Sequence, residues 1–170
     1  RAYMGGKRYP GRLRKIGLRS PASQPTGSRN IRYKLGPNLG TDVLYSGTVS
    51  AALEGAIEGV PALAVSLDSS EGTLLPFAAE LTTFLCQKLL ARGLRPHTLL
   101  NINIPNLPPE RIKGVEITSL GWRRYENAVH QRQDPRGRPY YWIAGEIKDD
   151  TDLDGTDVAA LAAGKISITP

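Results

Sequence analysis

Between Val49 and Ile104 the chain repeats one rhythm twice: an amphipathic helical pattern, then a short apolar run. Val49, Ala52, Leu53, Ala56 and Ile57 fall on one face of a helix, with Glu54 and Glu58 off it, and Gly59 stops it. Pro61 to Leu67 is an apolar run of the kind that forms a strand covered on both sides. Leu74, Phe77, Ala78, Leu81, Leu85 and Leu89 mark a second helix, ended by Gly93. Thr98 to Ile104 is the next strand, with Leu100, Ile102 and Ile104 opposite Asn101 and Asn103. Helices alternating with strands in this order predict an α/β fold built on a parallel sheet.

The texture changes after Val115. Val115 to Leu120 reads as a strand, and Arg123 to Glu146 as a long hairpin whose arm spans about 121–147. Asp134, Pro135 and Gly137 occupy the first, second and fourth positions of a type I turn. Tyr140, Tyr141 and Trp142 give one arm more aromatic surface than a solvated ribbon needs, and a two-stranded ribbon is barely stable alone. The arm is expected to pack on another subunit, or else to fold back on its own domain. Asp157 to Ala163 predicts a short helix and Lys165 to Thr169 a last strand.

Charge divides the 170 residues unevenly. Residues 1–34 hold ten Lys/Arg and no acid, while the remainder carries a net −4. The chain therefore reads as a basic leader over 1–35, disordered or out of frame, followed by one mildly acidic domain over 36–170. Alone, the leader is either a solvated tail or an arm for nucleic acid. A single cysteine, Cys86, excludes a disulfide framework and a Cys-based zinc site. No apolar run reaches membrane-spanning length and no signal peptide is visible, so no membrane partner and a cytoplasmic location are expected.

The most informative segment is Gly36-Pro-Asn-Leu-Gly-Thr-Asp-Val-Leu-Tyr-Ser-Gly-Thr48. A loop rich in Gly, Asn and Ser runs straight into a helix, where free N–H groups and the helix dipole favour an anion. Asn38, Ser46, Gly47 and Thr48 are the candidate phosphate-binding residues, although Ser46 also suits a plain N-cap. Asp150-x-Asp152-x-Asp154-Gly155 imitates half a calcium loop, but Leu161 stands where the closing Glu belongs, so it reads as a solvated acidic loop. His97 and His130 have no nucleophile in a recognisable frame.

The Gly36–Val49 segment closely resembles the signature of the SurE family of stationary-phase survival proteins. So do Glu54-Gly55, Val60 to Ser66, Asn101-Ile-Asn-Ile-Pro105, Asp134 to Gly137 with Tyr141-Trp142, Gly155-Thr-Asp157 and Ser167 to Pro170. The resemblance implies a Rossmann-like three-layer fold with a protruding hairpin, used to form a dimer or tetramer. It implies metal-dependent hydrolysis of nucleoside 5′-monophosphates, with Mg or Mn as cofactor. Phosphate then falls to Asn38, Ser46, Gly47 and Thr48.

The family's metal ligands have no counterpart here. Residues 1–35 contain no Asp, and Ile31-Arg-Tyr-Lys34 stands where the resemblance expects Ser-Gly-Ile-Asn, so Lys34 replaces a neutral ligand. Read one nucleotide later, with free choice of synonymous codons, residues 31–34 permit Ser-Gly-Ile-Asn and Arg8 to Lys15 permits another family string. The chain is therefore read as an N- and C-terminally incomplete, frameshifted fragment of such a 5′-nucleotidase, with catalysis impaired or lost. The alternative is a non-catalytic oligomerising protein with a nucleic-acid-binding arm.

Overall fold

A computed structural model describes residues 30–69, 74–126, 129–143 and 145–170, the side chains of 30–34 and Ile143 excepted. Its first half runs β1 (Asn30–Leu35), a 3-10 turn (Gly40–Tyr45), α1 (Gly47–Ile57), β2 (Ala62–Leu67), α2 (Leu75–Arg92) and β3 (Leu99–Ile104). A short turn (Pro109–Arg111) leads to β4 (Val115–Ile117), β5 (Arg123–Glu126), β6 (Val129–Gln133), β7 (Pro139–Ile143) and β8 (Glu146–Asp149). The last elements are α3 (Asp157–Ala162) and β9 (Ile166–Thr169).

Five strands form the main sheet in the order β1-β2-β3-β9-β4. The first three are parallel, as their helical crossovers require, but β9 runs antiparallel to β3. The sheet is thus mixed where the rhythm of the sequence predicts a parallel one. After β3 the chain has only the turn Pro109–Arg111 before β4, too little to carry it back across the sheet.

Helices cover both faces. On one, Leu63, Val65, Leu67, Ile102, Ile104, Ile166 and Ile168 form the main core, with Ala78 and Cys86 of α2 buried against them. On the other, Val49 and Ala52 of α1 meet Ala62 and Ala64 of β2. Alanines at alternate positions of β2 let α1 lie close to the sheet. Val49, Ala52, Gly55 and Ala56 are the buried residues of α1, whereas Leu53 and Ile57 stay 48% and 58% exposed. The sequence pattern placed those two on the buried face; the small residues, which permit the closer approach, decide otherwise.

Two further differences concern strand limits. Val115 to Leu120 shrinks to Val115–Ile117, with Ser119 making an isolated bridge to Thr156. The proposed leader over 1–35 ends inside the sheet, because Asn30–Leu35 pairs in parallel register from Asn30 opposite Ala62 to Leu35 opposite Leu67. Sheet pairing uses backbone groups, and the alternation Ile31-Arg-Tyr-Lys-Leu35 is compatible with it despite the charge. The expectations for residues 1–29 lie outside the described residues.

β5 pairs antiparallel with β8, and β6 with β7, giving two two-stranded ribbons, the second lying within the first in chain order. The tip joining β6 and β7 is a turn closed by Gly137 N on the Asp134 carbonyl, and Asp134 Oδ1 accepts from the N–H groups of Arg136 and Arg138. All five residues of β6 are exposed.

Asp157, fully buried at the start of α3, binds three segments together. Its Oδ2 accepts from Gly40 N at 2.8 Å, and its Oδ1 from Gly121 N at 2.7 Å and Val158 N at 2.9 Å. Gly40 has φ +49°, and a Cβ there would lie 2.8 Å from the Gly121 carbonyl oxygen, so only glycine permits this approach. Asp157→Ala leaves three buried donors unpaired and is expected to cost about 3–5 kcal/mol. The shift of the urea unfolding midpoint measures it.

Candidate functional site

The carboxyl ends of β2 and β3 are polar on the face that α1 covers. Ser66 and Asn103 lie opposite each other there, with Ser167 of β9 opposite Asn103 in turn. All three are buried, as is Asn101. Above them passes the loop Gly36 to Gly40. A buried loop needs partners for its peptide groups, and these strands supply them. Asn38 N donates to Asn103 Oδ1 at 2.8 Å, and the Asn38 carbonyl accepts from Asn101 Nδ2 at 2.9 Å and Asn103 Nδ2 at 3.0 Å. Asn38 Nδ2 donates to Ser66 Oγ. Asn101 Oδ1 is buried without a hydrogen-bond partner.

From this anchor the 3-10 turn leads to the start of α1. Ser46 is its N-cap, its Oγ accepting from Val49 N at 3.2 Å, and the helical ladder begins with Ser50 N on the Ser46 carbonyl. The N–H groups of Gly47 and Thr48 therefore stand outside the ladder. Gly47 is exposed, Thr48 half-buried, and a Cβ on Gly47 would meet nothing within 4 Å. Of the four candidate phosphate residues, two are open to solvent and two, Asn38 and Ser46, are buried in the framework behind them.

An ion cluster borders the turn. The Arg123 guanidinium, at the root of the hairpin, donates through Nε and Nη2 to the two carboxylate oxygens of Asp149, both at 2.6 Å. Its Nη1 donates to Asp42 Oδ2 at 3.1 Å. Tyr125 Oη also donates to the Asp42 carboxylate, and Thr41 Oγ1 donates to the Arg123 carbonyl at 2.6 Å. Burial works against the Arg123 charge, but its bonds to Asp149 and Asp42 outweigh that and raise its pKa. Desolvation and the bond to Asp42 push Tyr125 up to about 12. Asp68, just past β2, is raised by desolvation and by Asp149, against the pull of Arg123.

The model of the family "Survival protein SurE" matches residues 34–127, more than half of the chain. The chain belongs to the SurE family. Among its SurE relatives, the 5'-nucleotidase SurE of Heliobacterium modesticaldum is 59% identical over 135 residues, 79% of this chain and 50% of the relative. The 5'-nucleotidase SurE of Synechococcus sp. is 45% identical over 156 residues, 92% of this chain and 60% of the relative. The crystal structure of the SurE protein from Aquifex aeolicus superposes with a TM-score of 0.67 at 42% identity, covering 81% of this chain and 58% of that one. The chain thus spans about half the length of the curated relatives it matches.

The described residues around this loop do not fit the divalent ion that the SurE resemblance implies. Among the described residues, no three His, Cys, Asp or Glu side chains gather as a metal site. Around the Asn38 loop the donors are neutral amides and hydroxyls engaged with one another, with Asn101 Oδ1 a single orphan oxygen. The backbone of Lys34 is in register with Ser66. Also among the described residues, no helix is long and apolar enough to cross a membrane.

Reading the sequence alone missed the roles of Ser66, Asp42, Arg123 and Asp157. Asn101 and Asn103 did carry a signal: two amides on one side of a strand whose other side is wholly apolar. Asp68 supplies a test of the local electrostatics. Its raised folded-state pKa means that its charge opposes folding at neutral pH, and the opposition fades as pH falls through that raised value. Asp68→Asn is expected to raise the unfolding temperature at pH 7 by a degree or so at most, and to confer no gain near the ordinary 3.8 of a carboxyl. Thermal unfolding followed against pH measures both.

Proposed function

We propose that this chain carries the phosphate-holding part of a nucleoside 5′-monophosphate phosphomonoesterase. The observation that carries this reading is the pair of exposed Gly47 and half-buried Thr48, presented at a helix start by a loop whose peptide groups are fixed from beneath. This lies at the carboxyl ends of parallel strands, where open α/β sheets receive ligands. The relatives' name, 5'-nucleotidase SurE, supports a phosphate monoester as the ligand. Gly47 and Thr48 offer backbone N–H groups and the Thr48 hydroxyl to phosphoryl oxygens. Ser46 fixes the first turn of α1, and Asn38 fixes the loop. The helix dipole adds its positive end.

Phosphoryl hydrolysis also requires activation of water and neutralisation of the charge developing on the phosphoryl oxygens. The donor set described above does not fit the ion that supplies this in the family, so the proposal assigns binding to this chain and little turnover. Incubating the purified chain with a nucleoside 5′-monophosphate, with and without Mg or Mn, tests both parts. Phosphate release is expected to be no faster than for Thr48→Ala, while inorganic phosphate binds the parent chain about fivefold or more tighter than it binds Thr48→Ala. Metal-stimulated release lost in Thr48→Ala would contradict the assignment of impaired catalysis. Equal phosphate binding by both chains would contradict the site.

The partner proposed for the hairpin is a second copy of this chain. Tyr141 is 62% exposed, and Tyr140 and Trp142 lie beside it on the same strand, a large aromatic surface for a ribbon to leave in water. The parent chain is expected to run as a dimer or larger in light scattering, and Tyr141→Lys with Trp142→Lys to shift it toward the monomer. An unchanged mass would remove the hairpin from the interface.

A further inference from the structure

The two halves of the proposed cradle are joined only by the six-residue turn Gly40–Tyr45. Packing does little to hold that turn at its far end, where Leu44 and Tyr45 are 76% and 89% exposed. Val43 touches the α1 side of the core, and Gly40 is tied to Asp157. The remaining side-chain ties all run to β5. Thr41 Oγ1 donates to the Arg123 carbonyl, and the Asp42 carboxylate receives Arg123 Nη1 and the Tyr125 hydroxyl. Arg123 is itself held by both oxygens of Asp149 on β8, so the antiparallel root of the arm acts as a rigid bracket.

Asp42 is an odd residue to find here. It places a carboxylate four residues before the cap of a helix start that is to receive an anion. On charge alone, its removal should tighten an anion at Gly47 and Thr48. The bracket gives it a different task. We infer that Asp42 is a positioning residue, through which Arg123 and Tyr125 of the hairpin root hold the turn so that the Asn38 loop and the α1 start face one phosphate. The inference rests on the phosphate reading above and adds the residue that aligns the two halves. It also makes the hairpin a participant in ligand binding, since anything that distorts its root reaches the cradle through Asp42.

The two effects of Asp42 have opposite signs, which gives a clean test. Inorganic phosphate is titrated calorimetrically into the full chain and into Asp42→Asn, Thr41→Val, Glu116→Gln and Thr48→Ala, with circular dichroism confirming that each is folded. Asp42→Asn is expected to bind phosphate at least fivefold more weakly, although it removes a negative charge. Thr41→Val changes no charge, breaks the other tie to β5, and is expected to weaken binding about threefold. It serves alone if Asp42→Asn does not fold. Glu116→Gln, which removes a distant carboxylate paired with Lys165, is expected to change binding less than twofold. Unchanged or tighter binding by Asp42→Asn, or unchanged binding by Thr41→Val, overturns the positioning role. If Thr48→Ala binds as the parent does, the phosphate reading itself fails, and the inference falls with it.

Discussion

A loop that passes over the end of a sheet must find partners for peptide groups that water cannot reach, and everything about this site follows from how that is done. The Asn38 peptide is satisfied on both sides by side-chain amides of β3. Gly40 N is satisfied by a carboxylate from the far end of the chain. Side chains of two distant segments thus fix one short stretch of backbone. Leaving any of these groups unpaired costs about 1–3 kcal/mol, so the loop has one favourable path. The start of α1 is delivered to a fixed place as a result.

The hairpin joins the same framework at its root. Gly121 N shares Asp157 with Gly40, and Arg123 grips Asp42 on the turn that leads to α1. An arm that projects aromatic residues into solvent is therefore continuous, through polar contacts, with the loop that would hold a ligand. The Arg123–Asp149 fork, bidentate and with the arginine almost fully buried, anchors this connection.

Much of this was legible from the sequence. The helices at Gly47–Ile57 and Leu75–Arg92 and the strand between them follow from apolar spacing, which reflects the covering of both sheet faces. Spacing failed where small residues decide the contact. Leu53 and Ile57 satisfy a helical period, yet Ala52, Gly55 and Ala56 form the face that α1 buries, because closeness to Ala62 and Ala64 matters more than side-chain size. The strand Asn30–Leu35 was hidden by its Arg and Lys, since composition outweighed a short alternation in the reading. Residues that act at long range were the least visible. Asp42 and Arg123 are 81 positions apart, and no local pattern announces their ion pair. Asn101 and Asn103 were visible as an interruption of an apolar strand and as part of a family string, but not as the partners of the Asn38 peptide.

The central claim is that a phosphate site exists where the Asn38 loop delivers α1. Amide resonances of the isotopically labelled full chain, followed while inorganic phosphate is added, address it residue by residue. The account predicts saturable shifts largest at the Gly47 and Thr48 amides, with smaller ones at Asn38. Shifts spread over the basic surface, with Gly47 and Thr48 unmoved at saturating phosphate, would contradict it.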